Sequence, residues 1–170
     1  MTPVTTAAAR DVVLRPVSAA DETDLRAVHA QTHCEQLIAS VPDAVMVASL
    51  ARMQYDAQQT QYRAAYPDSV DQLITVSGEV AGRCWTDLSR SALRILDIAV
   101  LPAFRRRGVA TAVVTLQLRR AAATGVPVAL SVWSGNDTAR RLYAGLGFAS
   151  TADDNSDGYL TMTCRPGRLT

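Results

Sequence analysis

The sequence predicts an α/β domain built on a mixed, mostly antiparallel sheet with helices on both faces. Short apolar runs alternate with turn residues between residues 73 and 100, which is typical of an antiparallel meander. An apolar strand, a helical segment and a second apolar strand then occupy residues 93–132, which predicts a parallel pair. Two helical segments precede the meander, and further helices follow it, so both faces of the sheet can be covered.

Length and composition limit the class of protein. The 170 residues, 48% of them hydrophobic, suit a single domain over residues 1–170, with residues 1–10 as a flexible tail. A formal net charge of +1 gives no reason to expect a nucleic-acid partner. No apolar run is long enough to span a membrane, and the first residues lack the apolar core of a signal peptide. The three cysteines are widely spaced, so we expect reduced thiols in a cytoplasmic protein.

The N-terminal part of the chain predicts one strand and two helices. Val12–Pro16 alternates apolar residues and is a strand candidate. Ser18 is a favourable N-cap for a helix that begins at about Ala19. Pro42 marks a break, after which a second helix is expected over Ala44–Ala65. The first helix is expected to bury Leu25, Val28 and Cys34.

Three strands joined by short turns are expected next. They cover residues 73–76, residues 80–86 and Leu93–Val100. The turns lie at Ser77-Gly78 and at residues 88–91. Because the connections are short, these three strands should be antiparallel neighbours.

A crossover follows the third strand. A helix from Val109 ends near Gly125, a favourable residue for a C-terminal cap. Residues 126–132 then form an apolar run, which predicts a strand buried on both faces. The apolar side of the crossover helix is expected to hold Val113, Leu116 and Ala123. A short helix and a last strand complete the chain, over residues 137–146 and Tyr159–Cys164.

The turn that precedes the crossover helix is the most informative segment. Arg105, Arg106 and Arg107 stand directly before Gly108 at the helix start. The first N–H groups of a helix have no intrahelical partner, and the helix dipole is positive there. Glycine lets a ligand approach the backbone closely. The turn therefore suits a phosphate-bearing ligand, although a basic turn can also be only a solvated loop.

Two motifs together resemble the GNAT superfamily of acyl-CoA-dependent N-acyltransferases. Residues 105–110 match its (Gln/Arg)-x-x-Gly-x-(Gly/Ala) signature. A second family motif is matched after the next strand, by Asn136-x-x-Ala139-x-x-Leu142-Tyr143-x-x-x-Gly147-Phe148. The order and separation of the two motifs also match, and the close resemblance covers roughly residues 74–148.

The resemblance implies a GNAT-like sheet in which the strand Leu93–Val100 splays from the parallel strand that follows the crossover. It implies acetyl-CoA as the donor, with its diphosphate on the backbone N–H groups of residues 106–111 and its pantetheine arm beside the splayed strand. Asn136 could instead only cap the last helix. The residues that the resemblance assigns to cofactor binding are Ile98, Ala99, Val100, Arg105, Arg106, Arg107, Gly108, Val109, Ala110, Thr111, Asn136 and Tyr143.

The resemblance also implies direct attack of a neutral amine on the thioester, with no covalent enzyme intermediate. Tyr143 is expected to protonate the leaving thiolate, and the Val100 N–H to face the thioester oxygen. Asp97 is our first choice for the base, because a carboxylate inside an apolar strand is costly without a role. Two simpler interpretations stay open. Tyr143 could be core packing on its apolar helix stripe, and Asp97 could be a structural acid paired with Arg94 or Arg107.

The acceptor is expected to be a primary amine on a small molecule or a protein. Gln59 and Tyr62 on the second helix are expected to line its pocket. His29 and His33 have a spacing that can hold zinc, but no third ligand is evident, so no metal is expected. A P-loop is disfavoured because the chain contains no lysine. The competing hypothesis is an acyl-CoA-binding sensor or partner subunit without turnover, and the family resemblance leaves a homodimer open.

Overall fold

Seven strands form one mixed sheet at the centre of the protein. The computed structural model describes residues 11–154 and 158–167, and the predicted tail lies outside the described residues. The strands are β1 (Val12–Pro16), β2 (Val70–Val76), β3 (Glu79–Leu88), β4 (Leu93–Val100), β5 (Val128–Trp133), β6 (Ala149–Asp154) and β7 (Tyr159–Cys164). Their order is β1-β2-β3-β4-β5-β7-β6, and β4–β5 is a parallel pair in an otherwise antiparallel sheet. The predicted α/β fold with a mostly antiparallel sheet is confirmed.

Helices cover both faces of this sheet. They are α1 (Glu22–His33), α2 (Glu35–Ser40), α3 (Ala44–Ala65), α4 (Val109–Thr124) and α5 (Asp137–Gly145). On one face, Leu25 of α1 and Tyr55 of α3 pack around Leu73. On the other face, Val114 of α4 packs with Leu93, and apolar side chains of α5 lie against the same cluster. None of the helices in the described part of the chain is long and apolar enough to cross a membrane.

The first predicted helix is divided at Cys34. A 3-10 turn over Ala19–Asp21 precedes α1, and the Asp21 carboxylate accepts hydrogen bonds from the Ser18 N–H and hydroxyl, both at 2.8 Å. Hydrogen bonds from Arg15 and Ser18 hold the pKa of Asp21 well below its ordinary value. The predicted burial of Leu25, Val28 and Cys34 is confirmed. However, α1 ends at His33 and α2 begins at Glu35. No glycine or proline stands at this bend, so no local sequence signal marks it.

Three further elements differ from their predictions. The buried side of α4 is formed by Val113, Val114, Gln117, Leu118 and Ala121, whereas Leu116 and Ala123 are exposed. Ser131 is exposed, so β5 is not buried on both faces throughout its length. The strand β6 is absent from the prediction because its residues are small and polar, and it forms through its pairing with β7.

The parallel strands β4 and β5 pair only at their beginnings. Residues 93–95 pair with residues 128–130, and no pairing joins the two strands beyond Ile95. On its other edge β4 carries an irregularity opposite β3, where Asp97 pairs with Trp85 but Ile95 pairs with Thr86. Leu96 is therefore an extra residue that bulges from the ladder. The splay implied by the family resemblance is present, and it opens the sheet beside the second half of β4.

The second half of β4 lies unusually close to Gly82 of β3. Gly82 pairs with Val100, and a Cβ at this position would collide with the backbone oxygen of Ala99. We expect Gly82→Ala to destabilise the protein by about 1–3 kcal/mol, the usual range for overpacking in a well-packed site. Urea denaturation measures the change.

Gly145→Ala is a matched control for this substitution. A Cβ at Gly145 meets no atom within 4 Å, and its backbone is helical. The control should therefore leave stability equal or raise it slightly, because alanine restricts the unfolded chain. Equal stability of both variants would mean that β3 and β4 are less tightly apposed than the structure indicates.

Candidate functional site

A cleft of about 590 Å³ opens where β4 and β5 separate. The last residues of β4 form one wall, and α5 forms another. Thr32, His33 and Glu35, at the junction of α1 and α2, close one end. Seven of the residues predicted to bind the cofactor line this cleft: Ile98, Ala99, Val100, Arg105, Ala110, Asn136 and Tyr143.

The remaining predicted cofactor residues belong to the turn that leads into α4. Arg106 and Gly108 both have left-handed backbone, with φ of 60° and 77°. Among the described residues, none of the N–H groups of residues 106–111 donates a hydrogen bond to a backbone or side-chain acceptor. Only the backbone of Val109 faces the turn, because its side chain is buried in the core. The result is a row of free donors at the positive end of a helix, which is the geometry of an anion site.

The three arginines of the turn are not equivalent. Arg105 donates from Nε to the Val100 oxygen at 3.0 Å and forms an ion pair with Glu35 at 2.7 Å. It therefore ties the turn to the end of β4 and to α2. The Arg107 guanidinium lies 5.8 Å from the centre of the Phe104 ring. Arg106 is exposed at the apex of the turn.

Tyr143 faces the cleft from α5. Its ring lies 5.7 Å from that of Phe148 and joins the apolar cluster beneath α5, so the packing interpretation holds for the ring. Its hydroxyl makes no hydrogen bond with any residue in the described part of the chain. Burial, followed by the nearby charges of Asp97 and Cys84, raises the pKa of Tyr143 to about 12. The phenol is therefore protonated at neutral pH and available as a donor.

Asp97 lies in the second half of β4, but it is not among the residues that line the cleft. Its side chain is 11% exposed, and its Oδ1 atom lies 3.2 Å from Nε2 of His33. Its Oδ2 atom is buried and has no hydrogen-bond partner in residues 11–154 or 158–167. The predicted structural partners, Arg94 and Arg107, do not contact it in the described chain, and the partner it does have is His33.

His33 is the site residue that the sequence does not reveal. Its spacing from His29 pointed only to a zinc site or a helix surface, and nothing local links it to a strand 64 residues away. Burial lowers the pKa of His33, but the hydrogen bond and charge of Asp97 outweigh burial and raise it overall. The two imidazoles stack at 4.6 Å, and no cluster of three metal-ligating side chains occurs in the described residues.

The two residues predicted to line the acceptor pocket lie outside this cleft. The Tyr62 hydroxyl donates to the Leu96 oxygen at 3.1 Å, at the β4 bulge. The same tyrosine lines a neighbouring pocket of about 160 Å³, next to Ser131. With its amide turned so that the oxygen faces Arg83, Gln59 accepts from the Arg83 guanidinium at 2.6 and 3.0 Å. Tyr62 and Gln59 thus support the polar cluster beneath β4 rather than the cleft itself.

Asn136 begins α5 and also lines the cleft. Its side-chain oxygen accepts a hydrogen bond from the Ala139 N–H at 3.1 Å, so the predicted cap is present.

A profile described as the acetyltransferase (GNAT) family matches residues 43–148, more than half of the chain. The chain belongs to the GNAT acetyltransferase family. This match confirms the family resemblance that the two sequence motifs indicate. Membership of this family implies that the protein is an acyltransferase.

Solved GNAT structures share this fold. The PaiA N-acetyltransferase from Thermoplasma acidophilum in complex with coenzyme A is 14% identical, with a TM-score of 0.68 over 91% of this chain and 98% of that one. Ard1 from Thermoplasma volcanium is 25% identical, with a TM-score of 0.62 over 92% and 98%. A GNAT family acetyltransferase from Elizabethkingia anophelis with acetyl-CoA bound is 15% identical, with a TM-score of 0.59 over 91% and 98%. No curated protein matches this GNAT sequence.

Proposed function

We propose that this protein transfers an acetyl group from acetyl-CoA to an amine by direct attack within a ternary complex. The observation that carries the proposal is the row of free N–H donors at residues 106–111 beside a cleft that runs along β4 to Tyr143. A diphosphate suits the donors, and an extended acyl arm suits the open strand edge. Two solved relatives of the same fold contain coenzyme A or acetyl-CoA.

The donor is expected to bind with its diphosphate on the backbone N–H groups of residues 106–111. Arg106 and Arg107 would screen its charge from the exposed side of the turn. The pantetheine arm would follow Ile98, Ala99 and Val100, whose edge toward β5 has no strand partner. Asn136 and Ala110 line the same cleft and would contact the arm from the two helix starts.

The reaction would proceed without a covalent enzyme intermediate. The acceptor, an ammonium with a pKa of about 10, gives one proton to Asp97. Its lone pair attacks the thioester carbon, the C–N bond forms, and the C–S bond breaks. The thiolate takes a proton from Tyr143, and the Val100 N–H would stabilise the negative charge on the thioester oxygen. The second proton of the attacking nitrogen restores Tyr143, and Asp97 loses its proton to solvent, so each turnover releases one proton.

Direct transfer is favoured because the cysteine beside the site is a poor nucleophile. Cys84 is buried, and burial raises the pKa of its thiol to about 12. The thiolate is the nucleophilic form of cysteine, so an acyl-cysteine intermediate would need an ionisation that this environment opposes. Cys34 is also buried, and its pKa is likewise raised by burial.

Calorimetry with coenzyme A and with pantetheine tests the donor site. We expect coenzyme A to bind at least about 100-fold more tightly, because pantetheine lacks the diphosphate that the free N–H groups would hold. Thiol release from acetyl-CoA with a panel of amines tests the reaction. Equal affinities for coenzyme A and pantetheine would contradict the proposed anion site. Tight coenzyme A binding without thiol release from any amine would instead favour a sensor or partner subunit.

A further inference from the structure

Both ring nitrogens of His33 have assigned partners. The Thr32 hydroxyl donates its single hydrogen to the Val28 oxygen at 2.7 Å. The same hydroxyl oxygen lies 2.9 Å from Nδ1 of His33. It accepts a hydrogen there while it donates to Val28, or donates to Nδ1 if its hydrogen turns that way.

In either arrangement the second nitrogen of His33, Nε2, carries a hydrogen. Nε2 lies 3.2 Å from Oδ1 of Asp97. A neutral imidazole with its hydrogen on Nδ1 would direct the Nε2 lone pair at a carboxylate, which is repulsive. A proton on Nε2 turns the contact into a charge-assisted hydrogen bond. Nε2 of His33 thus donates a hydrogen bond to the Asp97 carboxylate, and the two side chains are 32% and 11% exposed.

We infer that His33 is a positioning residue, which holds Asp97 ionised and leaves its Oδ2 atom bare as the docking point for the ammonium form of the acceptor. The inference rests on the proposed acetyl transfer, and it narrows the acceptor to amines that are charged at neutral pH. Oδ2 is buried and has no partner within the described residues, so it is the one acceptor atom of the pair left for a substrate. Aliphatic amines meet this requirement, whereas aromatic amines are neutral at the same pH.

Among the described residues, no second cation is placed to replace His33 at Asp97. Arg83 of β3 is bound through two nitrogens to Asp71. His29 of α1 stays neutral, because burial and the charge of His33 lower its pKa to about 4. Three other titratable groups face the pair from β3, α3 and α5. They are neutral at pH 7, because burial raises the pKa of each: Cys84, Tyr62 and Tyr143. Glu35 of α2, the nearest acid on that helix, is paired with Arg105.

Nitrogen NMR can measure the protonation state of each histidine ring, because the chain contains only two histidines. At neutral pH we expect one ring with both nitrogens protonated, His33, and one neutral ring, His29. Asp97→Asn should lower the titration midpoint of His33 by about one pH unit or more, since the opposite charge is removed. Gln31→Ala, at an exposed position of α1, is the control and should leave both rings unchanged. A neutral His33 in the wild type, or an unchanged midpoint in Asp97→Asn, overturns the inference.

Kinetics with acetyl-CoA separate positioning from a merely structural role. His33→Leu should raise KM for an aliphatic amine by about 10- to 100-fold, the range of a lost hydrogen bond to a charged group. KM for acetyl-CoA should change less, although His33 also lines the cleft. His33→Gln keeps an N–H donor without the charge and should lie between wild type and His33→Leu.

The same assay distinguishes failure of this inference from failure of the proposed function. No thiol release by the wild-type protein with any amine overturns the proposed acetyl transfer, and the NMR titration still decides the state of the pair. Wild-type turnover with unchanged amine KM in both His33 variants overturns the inference alone. Wild-type preference for an aromatic amine over an aliphatic amine of similar size also overturns it.

Discussion

Tyr143→Phe should lower kcat by about 10²- to 10⁴-fold, the usual contribution of a positioned general acid. The substitution removes only the hydroxyl, so the ring should keep its contact with Phe148 and its place in the core. The affinity for coenzyme A should change little, because the proposed diphosphate site at residues 106–111 is untouched. Steady-state kinetics for kcat and calorimetry for the dissociation constant check the two parts separately.

Tyr55→Phe is the matched control for this substitution. Burial raises the pKa of Tyr55 to about 12 as it does for Tyr143, but the Tyr55 hydroxyl donates to Glu22 and does not line the cleft. The control should therefore keep its kcat even if it loses some stability. A wild-type kcat in Tyr143→Phe would mean that water protonates the thiolate and that Tyr143 is not the general acid.

The geometry of the turn before α4 could be predicted from sequence because it is local. A glycine after basic residues at a helix start places free N–H groups side by side whatever the rest of the fold does. The left-handed backbone of Gly108 and the unpaired donors of residues 106–111 follow from that segment alone. The second motif is equally local, since Asn136 caps the helix that carries Tyr143.

The contact between His33 and Asp97 could not be predicted, because it depends on the bulge in β4. Regular alternation would place Asp97 on the same face as Leu93 and Ile95, against α4. The extra residue Leu96 reverses the alternation, so Asp97 pairs with Trp85 and faces α1, while Ile98 takes the apolar side. A bulge of this kind leaves no mark in the apolar pattern of the strand.

The hydrogen-bond partners of Gln59 and Tyr62 could not be predicted from sequence for a related reason. Gln59 and Tyr62 lie on the expected helix, but their polar atoms bind Arg83 and the Leu96 oxygen. Helical periodicity identifies which side of α3 faces the sheet. It does not tell which of those side chains meet a ligand and which are engaged by groups buried beneath them.

Breaking the ion pair between Arg83 and Asp71 should cause a large loss of stability. The guanidinium donates from Nε and Nη2 to the two carboxylate oxygens at 2.8 and 2.6 Å, and the two side chains are only 2% and 6% exposed. Arg83→Met or Asp71→Asn alone should lower the free energy of unfolding by about 3–5 kcal/mol, because each leaves a buried group without its counter-charge or its full set of hydrogen bonds. Urea denaturation measures both variants.

The double variant Arg83→Met with Asp71→Leu separates the pair's own contribution from the cost of breaking it. Removing both charges leaves apolar side chains against Trp85, whose ring already lies 4.4 Å from the guanidinium. The double variant should therefore recover most of the lost stability. Asp56→Asn, at the exposed pair with Arg26, is the surface control and should cost no more than about 1 kcal/mol. If the losses of the two single variants simply add in the double variant, the mutual attraction of Arg83 and Asp71 contributes little to stability. Each residue would then stabilise the fold through its separate contacts, which for Arg83 are those with Trp85 and Gln59.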